Sequence, residues 1–381
     1  MSSIIQFIKD RFTRMKPLPA GIYTTQSSQD EPAYRLHLRI QPDGNGVLVV
    51  NASTVLHLNP TASEYALHMI KGTSVEDVAR EVAARYNINK TTAQQDFVEF
   101  RDRMQSLIHT PDLDPVTFLD FERVAPHSSN LSAPLRLDCA LTYRLPEGAP
   151  AADSPTKRVE RELNTEEWKQ ILDKAWQAGI PHVTLTGGEP TLREDLPEII
   201  AHAEKNGQVT GLMSDGLKFV DKKYMDILLQ TGLDHLLFIL DPENRKSWKA
   251  LEVIMPEDLY CTVHLTIDKK NKDEVSGYLR KLSGLNVTSL SLSTPDPEMM
   301  NSMDSFKDEA VQLGMTLRWD LPVPYSSQNP VAYETIEDAI PSGAGKSWLY
   351  VEPDGDVLPT QGLADQVLGN FLKDQFETIY R

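Results

Sequence analysis

The feature that most constrains the fold is a regular alternation of short apolar runs and amphipathic segments between about residues 134 and 321. The runs have the length of buried strands, and the segments between them have helical length and periodicity. This alternation predicts a parallel sheet with right-handed helical crossovers. The predicted strands cover residues 136–143, 182–186, 209–213, 235–240, 259–267, 288–293 and 315–321.

Helices are predicted between these strands. They cover residues 165–178, 195–206, 221–231, 245–253, 271–283 and 298–313. The first has its own start and stop signals, because Asn164 can cap it, Glu167 follows three residues later and Gly179 ends it. Six or seven such units favour a partial or full barrel over an open sheet, although periodicity alone does not decide. On a barrel, chemistry is expected at the carboxyl ends of the strands.

A separate small α+β domain is predicted at residues 1–109. Alternating patterns predict strands, and longer amphipathic patterns predict three helices, an arrangement typical of a winged helix. The strands cover 34–40, 47–51 and 54–58, and the helices cover 61–71, 75–86 and a segment starting at Thr91 or Thr92. Before them, residues 1–16 have apolar residues near helical spacing among basic ones. That segment is predicted to fold onto its own domain, with contact to an anionic membrane surface as the alternative.

Two other segments complete the predicted domain organisation. Residues 110–133 are rich in Pro, Asp and Ser and are predicted to be a linker between the first domain and a barrel at 134–325. The tail, 326–381, contains a predicted hairpin at 348–360 and a last helix at 371–380.

Charge and cysteine content limit the class of partner and the compartment. Residues 1–110 carry 12 basic and 11 acidic residues, a net charge of +1, and the remainder carries 26 and 44, a net charge of −18. An acidic surface disfavours nucleic acid as a partner. The two cysteines, Cys139 and Cys261, suggest a reducing, cytoplasmic environment. No apolar run is long enough to predict a membrane span.

The sharpest local motif is Gly187-Gly188-Glu189-Pro190, directly after the second predicted barrel strand. Two glycines allow close backbone approach to a ligand, and the carboxylate can accept hydrogen bonds from an ammonium group. The alternative is a tight turn into the next helix. The motif alone does not decide between these two interpretations.

In its context, the motif resembles the radical S-adenosylmethionine (radical SAM) superfamily. The similarity covers about residues 134–321 and rests on the glycine motif, the strand count, and Ser214-Asp215-Gly216 after the third strand. It implies a partial (β/α)6, TIM-like barrel in which Gly187, Gly188, Glu189, Pro190, Ser214 and Asp215 would hold S-adenosylmethionine. In that family, three cysteines spaced Cys-x3-Cys-x2-Cys after the first strand hold a 4Fe–4S cluster.

The chain departs from that pattern at the cluster loop. The three cysteine positions fall on Leu145, Ala149 and Ala152, and none of these side chains supplies the thiolate that cluster iron requires. We therefore expect no iron–sulfur cluster, no radical chemistry and at most weak S-adenosylmethionine binding. The tail resembles the SPASM-like extension of peptide-modifying radical enzymes, but Thr360 stands where a cysteine commonly follows the proline.

The first domain is similar to PqqD-like peptide chaperones over roughly residues 34–108. The similarity rests on Leu58-Asn59-Pro60-Thr61-Ala62 and on the segment that begins Thr73-Ser74-Val75. It implies binding of a leader peptide as an added strand. The alternative use of a winged helix is DNA binding, which the acidic residues of the last helix disfavour.

Four further polar residues are candidates for the barrel interior or mouth. They are Asp138, His264, Asp320 and Tyr325. His264 is expected to be a hydrogen-bonded core residue rather than a metal ligand, and no His, Cys or carboxylate group has zinc-like spacing.

Three functional hypotheses follow. The first is a pseudoenzyme that binds a peptide or protein segment and supports or regulates an active partner enzyme. The second is a non-radical enzyme that binds S-adenosylmethionine or a related metabolite in the barrel. The third, a ligand-sensing DNA-binding regulator, is disfavoured by the charge distribution.

Overall fold

The computed structural model describes residues 18–27, 34–51, 54–110, 113, 131–318, 321–335 and 340–380. The chain divides into two units, Met1–Ser132 and Ala133–Arg381. The amphipathic segment predicted at residues 1–16, and most of the linker predicted at 110–133, lie outside the described residues.

The first unit begins with a four-stranded antiparallel sheet in the order β1-β2-β3-β4. Its strands are β1 (Gly21–Ser27), β2 (Tyr34–Ile40), β3 (Gly46–Val50) and β4 (Thr54–Leu58). Alternate residues of β2, namely Leu36, Leu38 and Ile40, lie in the core of this unit. Strand β1 was not predicted from the sequence.

Three helices share the core of this unit with the sheet: α1 (Pro60–Ile70), α2 (Val75–Tyr86) and α3 (Lys90–His109). The side chain of Asn59 caps α1 by accepting from the Ala62 N–H at 2.9 Å. The predicted apolar stripe of α3 is buried, with Phe97, Phe100, Met104 and Leu107 all in the core. The sequence pattern therefore predicted the elements of this unit, apart from β1.

The second unit is an α/β partial barrel. Its strands are β5 (Arg136–Thr142), β6 (His182–Gly187), β7 (Val209–Ser214), β8 (His235–Ile239), β9 (Tyr260–Thr266), β10 (Ser289–Ser293) and β11 (Thr316–Leu317). The helices between them are α4 (Thr165–Ala178), α5 (Leu196–Asn206), α6 (Lys222–Leu229), α7 (Arg245–Ile254), α8 (Val275–Gly284) and α9 (Met300–Gln312). All pairings from β5 to β11 are parallel. The fold class predicted from the sequence is confirmed.

The two faces of the sheet differ in character. On β9, Cys261, Val263 and Leu265 lie in the main hydrophobic core, which includes residues of the helices. The alternate residues Thr262, His264 and Thr266 are buried on the opposite, inner face. The first predicted helix has the expected capping box between Asn164 and Glu167.

The tail extends the barrel sheet. Strand β12 (Trp348–Val351) pairs in parallel with β5, and β13 (Asp356–Leu358) and β14 (Gly369–Asn370) follow it as antiparallel neighbours. The final helix, α10, is short and covers only Phe376–Ile379. Among the described residues, no helix has both the length and the apolar character needed to cross a membrane.

Candidate functional site

The turn after β6 is bound through its backbone to the end of β5. The Gly188 N–H donates to the Thr142 carbonyl at 2.7 Å, and the Glu189 N–H donates to the Arg144 carbonyl at 2.9 Å. Gly187 has a φ of 125°, and a Cβ there would lie 2.2 Å from the Thr142 oxygen. A Cβ at Gly188 would lie 2.3 Å from the Arg144 oxygen. The close approach of these two strand ends therefore requires both glycines, with or without a ligand.

The Glu189 carboxylate accepts hydrogen bonds from three neighbouring residues and is only 4% exposed. Oε1 accepts from the Thr191 N–H at 2.9 Å and from its hydroxyl at 2.5 Å. Oε1 also accepts from the Ser214 hydroxyl at 2.8 Å, and Oε2 accepts from the Asp215 N–H at 2.9 Å. Glu189, Ser214 and Asp215 therefore lie together, and Pro190 begins the 3-10 turn Pro190–Leu192 beside them.

The carboxyl group of Asp215 is the second acid of this site. Burial, and then the nearby charge of Glu189, raise the pKa of Asp215 to about 8, so this carboxyl group holds its proton at neutral pH. Two adjacent carboxyl groups that hold one proton can exchange that proton for a cationic group, because the cation offsets both negative charges. The site is therefore a buried pair of carboxyl groups in which Asp215 carries the proton.

The loop after β5 contains the three positions at which the resemblance would place cysteines. Leu145 and Ala149 line a cavity of about 420 Å³, whereas Ala152 is exposed in the 3-10 turn Ala151–Asp153. Within the described parts of the chain, no three His, Cys, Asp or Glu side chains are grouped so that they could hold a metal ion. Because cluster iron needs thiolate ligands, the side chains present here do not fit a 4Fe–4S cluster.

Hydrogen bonds and ion pairs hold this loop instead. The Ser154 hydroxyl donates to the Tyr143 carbonyl at 2.5 Å, and the Tyr143 hydroxyl donates to Glu352 at 2.8 Å. Arg158 bridges Glu352 at 3.2 Å and Glu334 at 2.7 Å. Burial raises the pKa of Glu352. This network connects the loop to the end of β12.

The two cysteines cannot form a substitute ligand set. Cys139 is fully buried in β5, and Cys261 is buried in β9, with β6, β7 and β8 between those strands in the sheet. Burial raises the pKa of the Cys139 thiol above its usual range and that of Cys261 to about 12. Both side chains are therefore core thiols.

Thr360, at the position in the tail where a cysteine was expected from the resemblance, has a structural partner. Its hydroxyl oxygen accepts a hydrogen bond from the Trp348 indole N–H at 3.3 Å. The tail position that would carry a cluster ligand in the resembling enzymes therefore contributes to the packing of β12.

The other polar candidates lie in different parts of the barrel. Asp138 is held in a bidentate pair by Arg136 at 2.8 and 3.0 Å. His264 lies in the interior, with Nδ1 3.0 Å from the Ser291 hydroxyl and Nε2 3.0 Å from the Ser293 hydroxyl. His264 is thus a hydrogen-bonded core residue, as expected.

The last two candidates are Asp320 and Tyr325, near the end of the last predicted barrel strand. Asp320 lies outside the described residues. Tyr325 is buried, and its N–H donates to the Gly187 carbonyl at 2.7 Å. Its hydroxyl contacts Glu334, so Tyr325 braces the glycine turn and belongs to the ion-pair network of the loop.

Sequence reasoning missed Thr191 as a donor to Glu189, and it missed the hydroxyl partners of His264. Ser289, Ser291 and Ser293 alternate along β10, and this period of two was a usable signal for the inner face. Thr191 had no comparable signal, because its role depends on the conformation of the turn.

Comparisons with known proteins agree with this architecture. Residues 139–260 match the radical SAM superfamily model, and residues 46–107 match the model described as coenzyme PQQ synthesis protein D (PqqD). The PqqA peptide cyclase of Granulibacter bethesdensis is 26% identical over 262 residues, which cover 61% of this chain and 68% of that relative.

Solved structures support the fold. Streptococcus suis SuiB bound to S-adenosylmethionine matches with a TM-score of 0.58 and 14% identity, over 94% of this chain and 88% of SuiB. SuiB bound to the precursor peptide SuiA matches with a TM-score of 0.60 and 13% identity, over 90% and 87%. The chain thus combines a radical SAM-type partial barrel with an N-terminal PqqD-like domain.

Proposed function

We propose that this chain is a non-catalytic relative of radical SAM peptide-modifying enzymes that binds a peptide and supports or regulates an active partner enzyme. The observation that carries the proposal is the loop after β5, where Leu145, Ala149 and Ala152 supply no cluster ligand and the loop is held by its own hydrogen bonds. Thr360 supports the same conclusion for the tail. Two buried free cysteines fit a reducing, cytoplasmic environment.

Peptide binding is assigned to the N-terminal domain. Within the described residues, β1 and β4 each pair with one strand only, so each is an edge to which an extended peptide can add. DNA is a poorer partner, because basic residues of α3 lie beside acidic ones. Arg103 pairs with Glu99 at 2.5 Å, and Arg101 lies 3.7 Å from Asp102.

Iron reconstitution and peptide titration test the two parts of this proposal. After anaerobic incubation with ferrous iron and sulfide, we expect no cluster absorbance near 400 nm and no 5′-deoxyadenosine from S-adenosylmethionine. Synthetic peptides covering small open reading frames beside the gene should include one that protects β1 or β4 amides from hydrogen exchange. A stoichiometric cluster would contradict the non-catalytic part, and protection confined to α3 would contradict edge-strand binding.

The second candidate is a cluster-free site for S-adenosylmethionine or a related amino metabolite. The Glu189–Asp215 pair favours it, because an ammonium group can replace the proton held by Asp215. Since the pKa of Asp215 is raised to about 8, binding at pH 6.5 should release nearly one proton, and binding at pH 9 should release almost none from this group.

Calorimetry in buffers of different ionisation enthalpy measures that release. Asp215→Asn keeps a donor toward Glu189 but has no proton to lose, so its binding heat should not depend on the buffer through this group. No heat with S-adenosylmethionine at either pH, or equal proton release by the wild type and the variant, would rule out this candidate.

A further inference from the structure

The cavity beside the loop after β5 has no role in the function proposed above. It has a volume of about 420 Å³, within the range of small-molecule sites. Its apolar walls come from Leu145, Ala149, Pro150 and Ala151 on one side and from Leu192, just after the glycine turn, on the other.

The cavity walls are held in place on both sides. Ser154 is tied to the Tyr143 carbonyl at 2.5 Å, and Asp153 accepts from the Ser327 hydroxyl at 2.7 Å. Opposite, the Leu192 N–H donates to the Glu189 carbonyl at 3.1 Å. These hydrogen bonds fix the position of both segments that line the cavity, so the cavity is a defined feature of the fold.

Arg144 gives the cavity its charge. The eight lining residues include this arginine and no acidic residue, in a chain whose net charge is −17. Its Nε donates to the Thr142 hydroxyl at 3.1 Å and lies 3.7 Å from a Glu162 oxygen. No described residue accepts from its two terminal nitrogens, and its side chain is 55% exposed. That leaves the fork of the guanidinium available to an anion.

We propose that this cavity binds a small carboxylate with a compact apolar group. The carboxylate pairs with the terminal nitrogens of Arg144, and the apolar group lies between Leu145, Ala149 and Leu192. A guanidinium matches the planar carboxylate in a two-point contact. The neighbouring Glu162 shares the charge of Arg144, so the affinity is modest.

The test uses 4-methylpentanoate as the probe and its neutral amide as the comparison ligand, titrated by ligand-observed NMR. A Kd on the order of 1 mM is expected for the acid, which ligand efficiency allows for about eight heavy atoms. The amide should bind roughly 10-fold more weakly than the acid, and Arg144→Gln should weaken binding of the acid by about the same factor. The affinity of Arg144→Lys for the acid should lie between those of the wild type and Arg144→Gln, because lysine keeps the charge but lacks the two-point geometry of the guanidinium.

Two further variants complete the experiment. Arg161→Gln removes one charge from an exposed residue that pairs with Glu167 at 2.8 Å, and it should bind like the wild type. Ala149→Phe should abolish binding by filling the cavity. The proposal is overturned if Arg144→Gln binds as the wild type does, if acid and amide bind equally, or if a leucine-ended tetrapeptide binds more tightly than the free acid. None of these affinity measurements depends on iron content or on peptide binding by the N-terminal domain.

Discussion

Gly187→Ala is expected to destabilise the barrel unit by about 4 kcal/mol or more. The added Cβ would lie 2.2 Å from the carbonyl oxygen of Thr142, and backbone atoms of a central strand cannot move aside as a flexible side chain can. The φ of 125° adds strain for any residue with a side chain. Relief would require breaking the hydrogen bond from Gly188 to Thr142, which joins the two strand ends.

Urea unfolding followed by tryptophan fluorescence measures this loss. Gly277→Ala is the matched control, because Gly277 lies in α8 with no atom within 4 Å of the added Cβ. This control should raise the free energy of unfolding by up to about 1 kcal/mol, because alanine has a higher helix propensity than glycine. If the free energy of unfolding of Gly187→Ala lay within about 1 kcal/mol of the wild-type value, the turn would have an accessible alternative conformation. Packing would then no longer explain the glycine pair.

The glycine motif has a structural explanation that does not involve a ligand. Gly187 and Gly188 are explained by contacts with Thr142 and Arg144 alone, so their presence does not by itself indicate a ligand. Glu189 differs, since a turn does not require a carboxylate beside a second acid. The ammonium-site hypothesis therefore depends on Glu189 and Asp215 rather than on the glycines.

The sequence predicted the parallel sheet because β5 to β10 are buried on both faces and read as apolar runs. Strand β1 was missed because Thr24, Thr25 and Gln26 weaken its pattern at the sheet edge. Strand β11 was predicted too long. Among the described residues of the predicted range, its pairing covers Thr316 and Leu317, and the Arg318 N–H donates to the Leu290 carbonyl of β10.

The parallel pairing of β12 with β5 could not be predicted from local pattern. Trp348 pairs with Arg136 across more than two hundred residues of chain, and no local signal encodes such a contact. The site was predicted to the extent that it follows strand ends, so Glu189, Ser214 and Asp215 were expected together. The cavity near Leu145 was not, because its walls depend on the conformation of an irregular loop.

His264→Gln is expected to make the barrel less sensitive to acid. Burial lowers the pKa of His264 to about 4 from its ordinary value of 6.5. His264 therefore becomes protonated below about pH 6.5 in the unfolded chain, but only below about pH 4 in the folded chain. Stability is lost as the pH falls through this window, by about 1.4 kcal/mol per pH unit and about 3 kcal/mol in total from this residue. A glutamine amide cannot titrate, and it can still donate to and accept from the serine hydroxyls.

Urea unfolding at several pH values between 7.5 and 4 separates this effect from the cost of the substitution itself. The variant is expected to be less stable than the wild type at pH 7.5, because the substitution perturbs packing. Its free energy of unfolding should then fall less steeply as the pH is lowered. His182 and His235, whose pKa values are also lowered by burial, and Asp215 titrate in both proteins, so their contributions cancel in the comparison. Parallel curves would mean that His264 titrates normally. Water would then reach the hydroxyl-lined inner face, and the barrel interior rather than its rim would become the place to look for a ligand.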